Sequence, residues 1–176
     1  IKQCSSLKIQ YDFDSISLMP TNLYGPGDNY HPTNSHVLPA LIRRFQEAKD
    51  SRKNKVTCWG SGNPLREFLH VDDLADACLF VLEEWKPNKE DIHYLNVGTG
   101  QDISIKELAY KIAKNIGFKG EINWDKTKPD GTYRKILDIS RINKLGWKAK
   151  IDLNSGVKNT CLEYEKYSKI SFERSI

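Results

Sequence analysis

An α/β fold is what the sequence predicts, and three observations predict it. Residues 15–18 (SISL) read as the end of a strand that opens, from Pro20 to Ser35, into a polar loop rich in Gly and Pro. That loop closes in an amphipathic pattern with apolar residues at Val37, Leu38, Leu41, Ile42 and Phe45. Short apolar strands and striped helices then alternate along the chain. The surest helix follows the buried strand 92–97: Ser104 and Glu107 form a capping box. Ile105, Leu108, Ala109, Ile112, Ala113 and Ile116 make one stripe, ended by Gly117. Open α/β folds place ligands beyond the carboxyl ends of their strands, which directs attention to the 20–35 loop.

Taken in order, Ile1, Cys4 and Leu7 have helical spacing. After the first strand, Ser35 is the expected N-cap, with His36 and Pro39 in the first turn and Arg43 and Arg44 further along. An imidazole beside the positive end of a helix suits proton exchange. Residues 49–55 form a charged linker, 56–59 a short strand and 60–64 a turn. Arg66 then precedes the apolar run 68–71, and Asp72 or Asp73 is expected to cap a helix striped by Leu74, Ala77, Cys78, Val81 and Leu82. Capping explains two adjacent aspartates without a metal, and His70 reads as structural, having no ligand cluster around it.

Residues 87–91 read as a loop. Gly98-Thr99-Gly100 imitates half a dinucleotide fingerprint, but the third glycine position holds Ile103, so it reads as a tight strand exit. Residues 121–124 form a further strand leading into the Pro-Asp-Gly turn of 128–135, flanked by cations. A short capped helix over 140–145 ends at Gly146 and is anchored by Trp147. Leu153, Val157, Cys161 and Tyr164 space a last helix, with 166–176 expected to fray.

At 176 residues the chain can bury one ordinary core or parts of two small ones. It is 39% hydrophobic and 28% charged, and no apolar run is long enough to span a bilayer. The net charge of +4 is scattered, which suits an anionic small ligand and lacks any nucleic-acid-binding signature. Cys4, Cys58, Cys78 and Cys161 lie far apart without metal-ligand spacing, so reduced thiols in a cytoplasmic protein are expected.

PTNLYGPGDNYHPTNSHV, together with WGSGNPLREFLHVDDLADA downstream, resembles the nucleotide-sugar epimerase–reductases of the extended short-chain dehydrogenase/reductase family. The resemblance runs from about Ile16 to Tyr164. NSHVLPALIRRF and KPDGTYRK narrow it to members acting on GDP-sugars. It implies the C-terminal part of a doubly wound, Rossmann-type parallel sheet interleaved with a small α/β substrate-binding domain. The approximate division is residues 1–30 and 66–98 for the NADP-binding part and 31–65 and 99–176 for the GDP-sugar part. The implied reaction converts GDP-4-keto-6-deoxy-D-mannose to GDP-L-fucose, by epimerisation beside the ketone and then NADPH-dependent reduction. His36 is the implied acid–base residue. Pro20, Thr21, Asn22, Leu23 and His36 are implied contacts to the nicotinamide end of NADP(H). Arg44, Trp59, Arg66, Asp130 and Lys135 are implied contacts to the GDP-sugar.

Indoles pack on planar ligand surfaces, and guanidinium forks hold pyrophosphate oxygens bidentately. The glycine fingerprint, catalytic Ser and Tyr-x-x-x-Lys pair of the family are expected to precede Ile1, which leaves this chain alone inactive; the full-length enzyme is expected to be a homodimer. Two alternatives remain open: a non-catalytic GDP-sugar-binding fragment, and a related NAD(P)-dependent nucleotide-sugar epimerase or reductase.

Overall fold

The computed structural model describes residues 1–88 and 94–173, with side chains described as far as Ser168. Its elements alternate as the apolar pattern predicts. Helix α1 (Lys2–Tyr11) is followed by strands β1 (Ser17–Pro20) and β2 (Asn22–Tyr24), helix α2 (Val37–Asp50), strands β3 (Lys55–Trp59) and β4 (Leu65–His70), and helix α3 (Val71–Glu84). Then come β5 (Tyr94–Val97), β6 (Asp102–Ser104), α4 (Ile105–Ile116), β7 (Glu121–Asp125), β8 (Arg134–Lys135), α5 (Ser140–Leu145) and α6 (Leu153–Glu173). The expected strand residues Ile92 and His93, and part of the 87–91 loop, lie outside the described residues.

Pairing is mostly parallel. β1 runs beside β5, with Ser17 opposite Tyr94 and Pro20 opposite Val97, and β3 runs beside β7. β4 is the hub of the third sheet. Its C-terminal half pairs parallel with β2, while its N-terminal half pairs antiparallel with β6 and parallel with β8. The first strand thus runs further than its polar sequence suggests: Asn22–Tyr24 continues it, because three register partners on β4 take up its backbone groups.

Two apolar clusters form. Leu38, Leu41, Ile42 and Phe45 of α2 meet Leu108, Ile112 and Ile116 of α4 and Val157, Cys161 and Tyr164 of α6. Leu69, Ala77, Val81, Leu95, Val97, Ile142 and Trp147 form the second. Trp147 is the expected anchor, and its indole N–H donates to Asp76 at 2.8 Å. The capping box of α4 is present, with Gly117 in the left-handed conformation at its C-terminus.

Four expectations change. Ala40 N donates to the His36 carbonyl at 3.0 Å, so His36, in extended conformation, is the N-cap of α2 and Ser35 lies one residue outside. The N-cap of α3 is His70, whose Nδ1 accepts from Asp72 N at 3.2 Å; neither aspartate caps. Asp73 is instead buried and accepts from Lys150 N and Ile151 N at 3.1 and 3.0 Å, because the 147–152 segment crosses α3 there and needs an acceptor. Leu82 is exposed rather than part of the stripe, since the buried face of α3 is centred on Asp73, Ala77 and Val81. Finally, α6 continues through the expected frayed tail as far as Glu173.

Candidate functional site

The residues singled out in sequence come together in two groups around β4. The first begins at the carboxyl end of β3, where Trp59 is 63% exposed while its neighbour Cys58 is buried. The alternation of the strand turns the indole outward, so it is no core aromatic. The Arg44 guanidinium lies 5.2 Å from the Trp59 ring centroid and the Lys128 ammonium 5.6 Å from it. An exposed indole flanked by two cations can offer one flat apolar surface and two positive charges to the same ligand. Burial pushes the Cys58 thiol up to about 11 against the pull of Arg44, leaving it protonated and inert near neutrality.

The turn after β3 is locked to the Pro-Asp-Gly loop. Asp130 accepts from Ser61 N at 2.6 Å and from the Ser61 hydroxyl at 2.7 Å. These hydrogen bonds hold its carboxyl below the ordinary carboxylate range. Gly60 has φ +77, and a Cβ there would meet the Asp130 carboxylate, so both conformation and space select glycine. From this loop β8 enters the sheet with Arg66 directly opposite Lys135. Like charges facing each other across two strands repel. Lys135 is exposed and Arg66 half-buried, with one guanidinium nitrogen donating to the Leu65 carbonyl at 2.8 Å. A pair of cations held in register in this way is arranged to receive an anion.

The second group is the β1–β2 junction. Thr21 Oγ1 and Asn22 Nδ2 donate to the Glu67 carbonyl at 3.2 and 2.7 Å, and Leu23 packs against the second apolar cluster. Those polar groups of Thr21 and Asn22 are therefore occupied within the fold. His36 is exposed, makes no capping hydrogen bond with its ring, and lies close enough to Asp28 to act on its charge. Burial raises the Asp28 carboxyl, opposed by the Asn29 N–H and by His36. Asp28 Oδ2 is buried without a hydrogen-bond partner.

Lys128 entered the sequence analysis only as a cation flanking its turn, and the contacts of Ser61 and above all Glu67 were not foreseen. Glu67 is fully buried; Oε1 accepts from Thr99 N and Gly100 N at 2.6 and 2.8 Å, and Oε2 from Leu137 N at 2.9 Å. Alternation gives no signal here, since β4 is buried on both faces from Glu67 to His70. The same contacts explain the Gly98–Gly100 turn: its N–H groups serve an internal carboxylate, not a phosphate. A cavity of about 1360 Å³ lies elsewhere, between α4, α6 and the 147–155 segment. It includes none of Arg44, Trp59, Arg66, Asp130 and Lys135. Among the described residues no His, Cys, Asp and Glu cluster could hold a metal, and no helix is long and apolar enough to cross a membrane.

Comparison with known proteins relates the chain as a whole. The chain is 54% identical over 160 residues to a probable GDP-L-fucose synthase 1 of Oryza sativa subsp. japonica, covering 91% of this chain and 48% of that protein. It superposes with a TM-score of 0.82 on a GDP-6-OMe-4-keto-L-xylo-heptose reductase from C. jejuni, at 34% identity, covering 96% of this chain and 57% of the other. With an NADP-bound GDP-L-fucose synthetase from Naegleria fowleri the TM-score is 0.78 at 27% identity, covering 88% and 47%. The chain spans about half the length of the curated relatives it matches. Residues 1–98 match the family described as NAD dependent epimerase/dehydratase, and the chain belongs to that family.

Proposed function

We propose that this chain supplies the GDP-sugar pocket and one acid–base residue of an NADP-dependent enzyme that converts GDP-4-keto-6-deoxy-D-mannose to GDP-L-fucose. The observation that carries the reading is the pair of like charges, Arg66 opposite Lys135, joined to the turn that follows Trp59 by the hydrogen bonds of Asp130 to Ser61. Arg66 and Lys135 take the pyrophosphate, Arg44 adds a third positive charge, and Trp59 packs on the flat or apolar part of the ligand. Asp130 closes the Pro-Asp-Gly loop through Ser61. The relatives named for GDP-L-fucose synthesis support the choice of sugar. Four free thiols are in keeping with a cytoplasmic enzyme.

The β1–β2 junction fits one end of NADP(H). Pro20, Thr21, Asn22 and Leu23 lie at the carboxyl end of a parallel strand, where such folds hold the nicotinamide. Bound there, the cofactor supplies hydride for reducing the ketone. The dinucleotide phosphates find no Gly-rich cradle at 98–100, where Glu67 has taken the N–H groups, so this chain alone is read as binding NADP(H) weakly and turning nothing over. His36, with its ring free of capping duty, exchanges the proton beside the ketone. In this reading residues 1–30 and 66–98 serve the cofactor, and 31–65 and 99–176 the GDP-sugar.

The test is titration of the 176-residue chain with GDP-mannose, GDP-L-fucose and UDP-glucose. The two GDP-sugars bind at least tenfold more tightly than UDP-glucose, roughly 1.4 kcal/mol. Equal affinities would overturn the assignment to GDP-sugars.

A further inference from the structure

We propose that Glu67 is a positioning residue for the pyrophosphate site: its buried carboxylate anchors β8 so that Lys135 stays opposite Arg66. This rests on the GDP-sugar reading and deepens it. β8 has two residues, both exposed, and its pairing with β4 sets Lys135 against Arg66. Two residues of ladder hydrogen bonding are a weak hold for a strand that brings like charges together. The compensating anchor lies one residue from Arg66 and two from Lys135. Glu67 Oε2 accepts from Leu137 N at 2.9 Å. Oε1 accepts from Thr99 N and Gly100 N at 2.6 and 2.8 Å, fixing the carboxylate from the opposite side. Gly98 is part of the fit, because a Cβ there would collide with Oε1.

Glu67 also ties the two ligand groups together. Its carbonyl accepts from Thr21 and Asn22 at the β1–β2 junction, and its side chain holds the segment carrying Lys135. One residue therefore fixes the proposed nicotinamide contacts and the pyrophosphate contacts relative to each other. Backbone donors to a buried carboxylate are charge-assisted and directional, so the anchor resists sliding of β8 under that repulsion.

Glu67→Gln separates positioning from general stability. The Gln oxygen serves Thr99 N and Gly100 N, and its NH₂ then faces the Leu137 N–H, donor against donor, which releases β8 selectively. In calorimetric titration of the 176-residue chain with GDP, Glu67→Gln and Lys135→Ala each weaken binding roughly ten- to a hundredfold, a lost charge-assisted contact. The double variant is no weaker than either single one, whereas Arg44→Ala costs the same with or without Glu67→Gln. Additive losses at both Arg44 and Lys135, or a Glu67→Gln chain binding GDP normally, would overturn the inference.

If Glu67→Gln does not fold, amide exchange of the unmodified chain decides. The Leu137, Thr99 and Gly100 amides then exchange together and more slowly than the Lys135 amide; fast exchange at Leu137 contradicts the anchor. Failure of the unmodified chain to bind GDP sinks the GDP-sugar reading itself, while the exchange pattern still reports on the anchor.

Discussion

At the scale of single residues, the proposed roles assign chemistry to His36 and placement to Glu67. His36 ends the polar loop and starts α2, exposed and with no ring hydrogen bond spent on the cap, so its imidazole is open to a substrate. In a chain of the relatives' full length, His36→Gln lowers kcat about 10²–10⁴-fold with little change in KM, the effect of removing a general acid or base. Solvent deuterium incorporation beside the ketone falls with it; intact exchange combined with weaker binding would make His36 a binding residue. Glu67 has no such chemistry to perform. Its full burial and its three backbone N–H donors commit it to geometry, as Asp73 is committed to the 150–151 backbone.

At the scale of elements, the sequence was most legible where period and caps agree. The α4 capping box, its apolar stripe and Gly117 all stand as expected, and so does the α/β alternation. The short strands β6 and β8 were not legible, because two or three residues, mostly polar, acquire strand geometry only from a partner such as β4. The N-caps were displaced for a related reason: His36 and His70 occupy positions where Ser35 and Asp72 would have served by propensity alone. Of the candidate site, the exposed residues proposed for ligand were named by the motifs, while the hydrogen-bonding roles of Glu67 and Ser61 were not.

The loop tie between the β3–β4 turn and Asp130 makes a pH prediction. The Asp130 carboxyl is held down by Ser61, so the tie is fully present above the ordinary carboxylate pKa and is lost as pH falls through the depressed one. The Ser61 amide resonance, shifted by its 2.6 Å bond, should therefore move only below the ordinary carboxylate range, and Ser61→Ala should bring the Asp130 titration back towards it. An Asp130 titration unaffected by Ser61→Ala would contradict the tie.

At the scale of the whole molecule, two apolar clusters flank β4, and it pairs with both β2 and β8, which carry candidate residues of the two groups. The proposed pocket joins cations from α2, β4 and β8 with an indole from β3, which gives the account its most direct test. GDP and guanosine are titrated in parallel into the unmodified chain and into its Arg66→Ala and Lys135→Ala variants. The account predicts that GDP binds much more tightly than guanosine, and that each substitution removes roughly 1.5–3 kcal/mol from GDP alone. Guanosine binding as well as GDP, or both variants losing affinity equally for the two ligands, would contradict it.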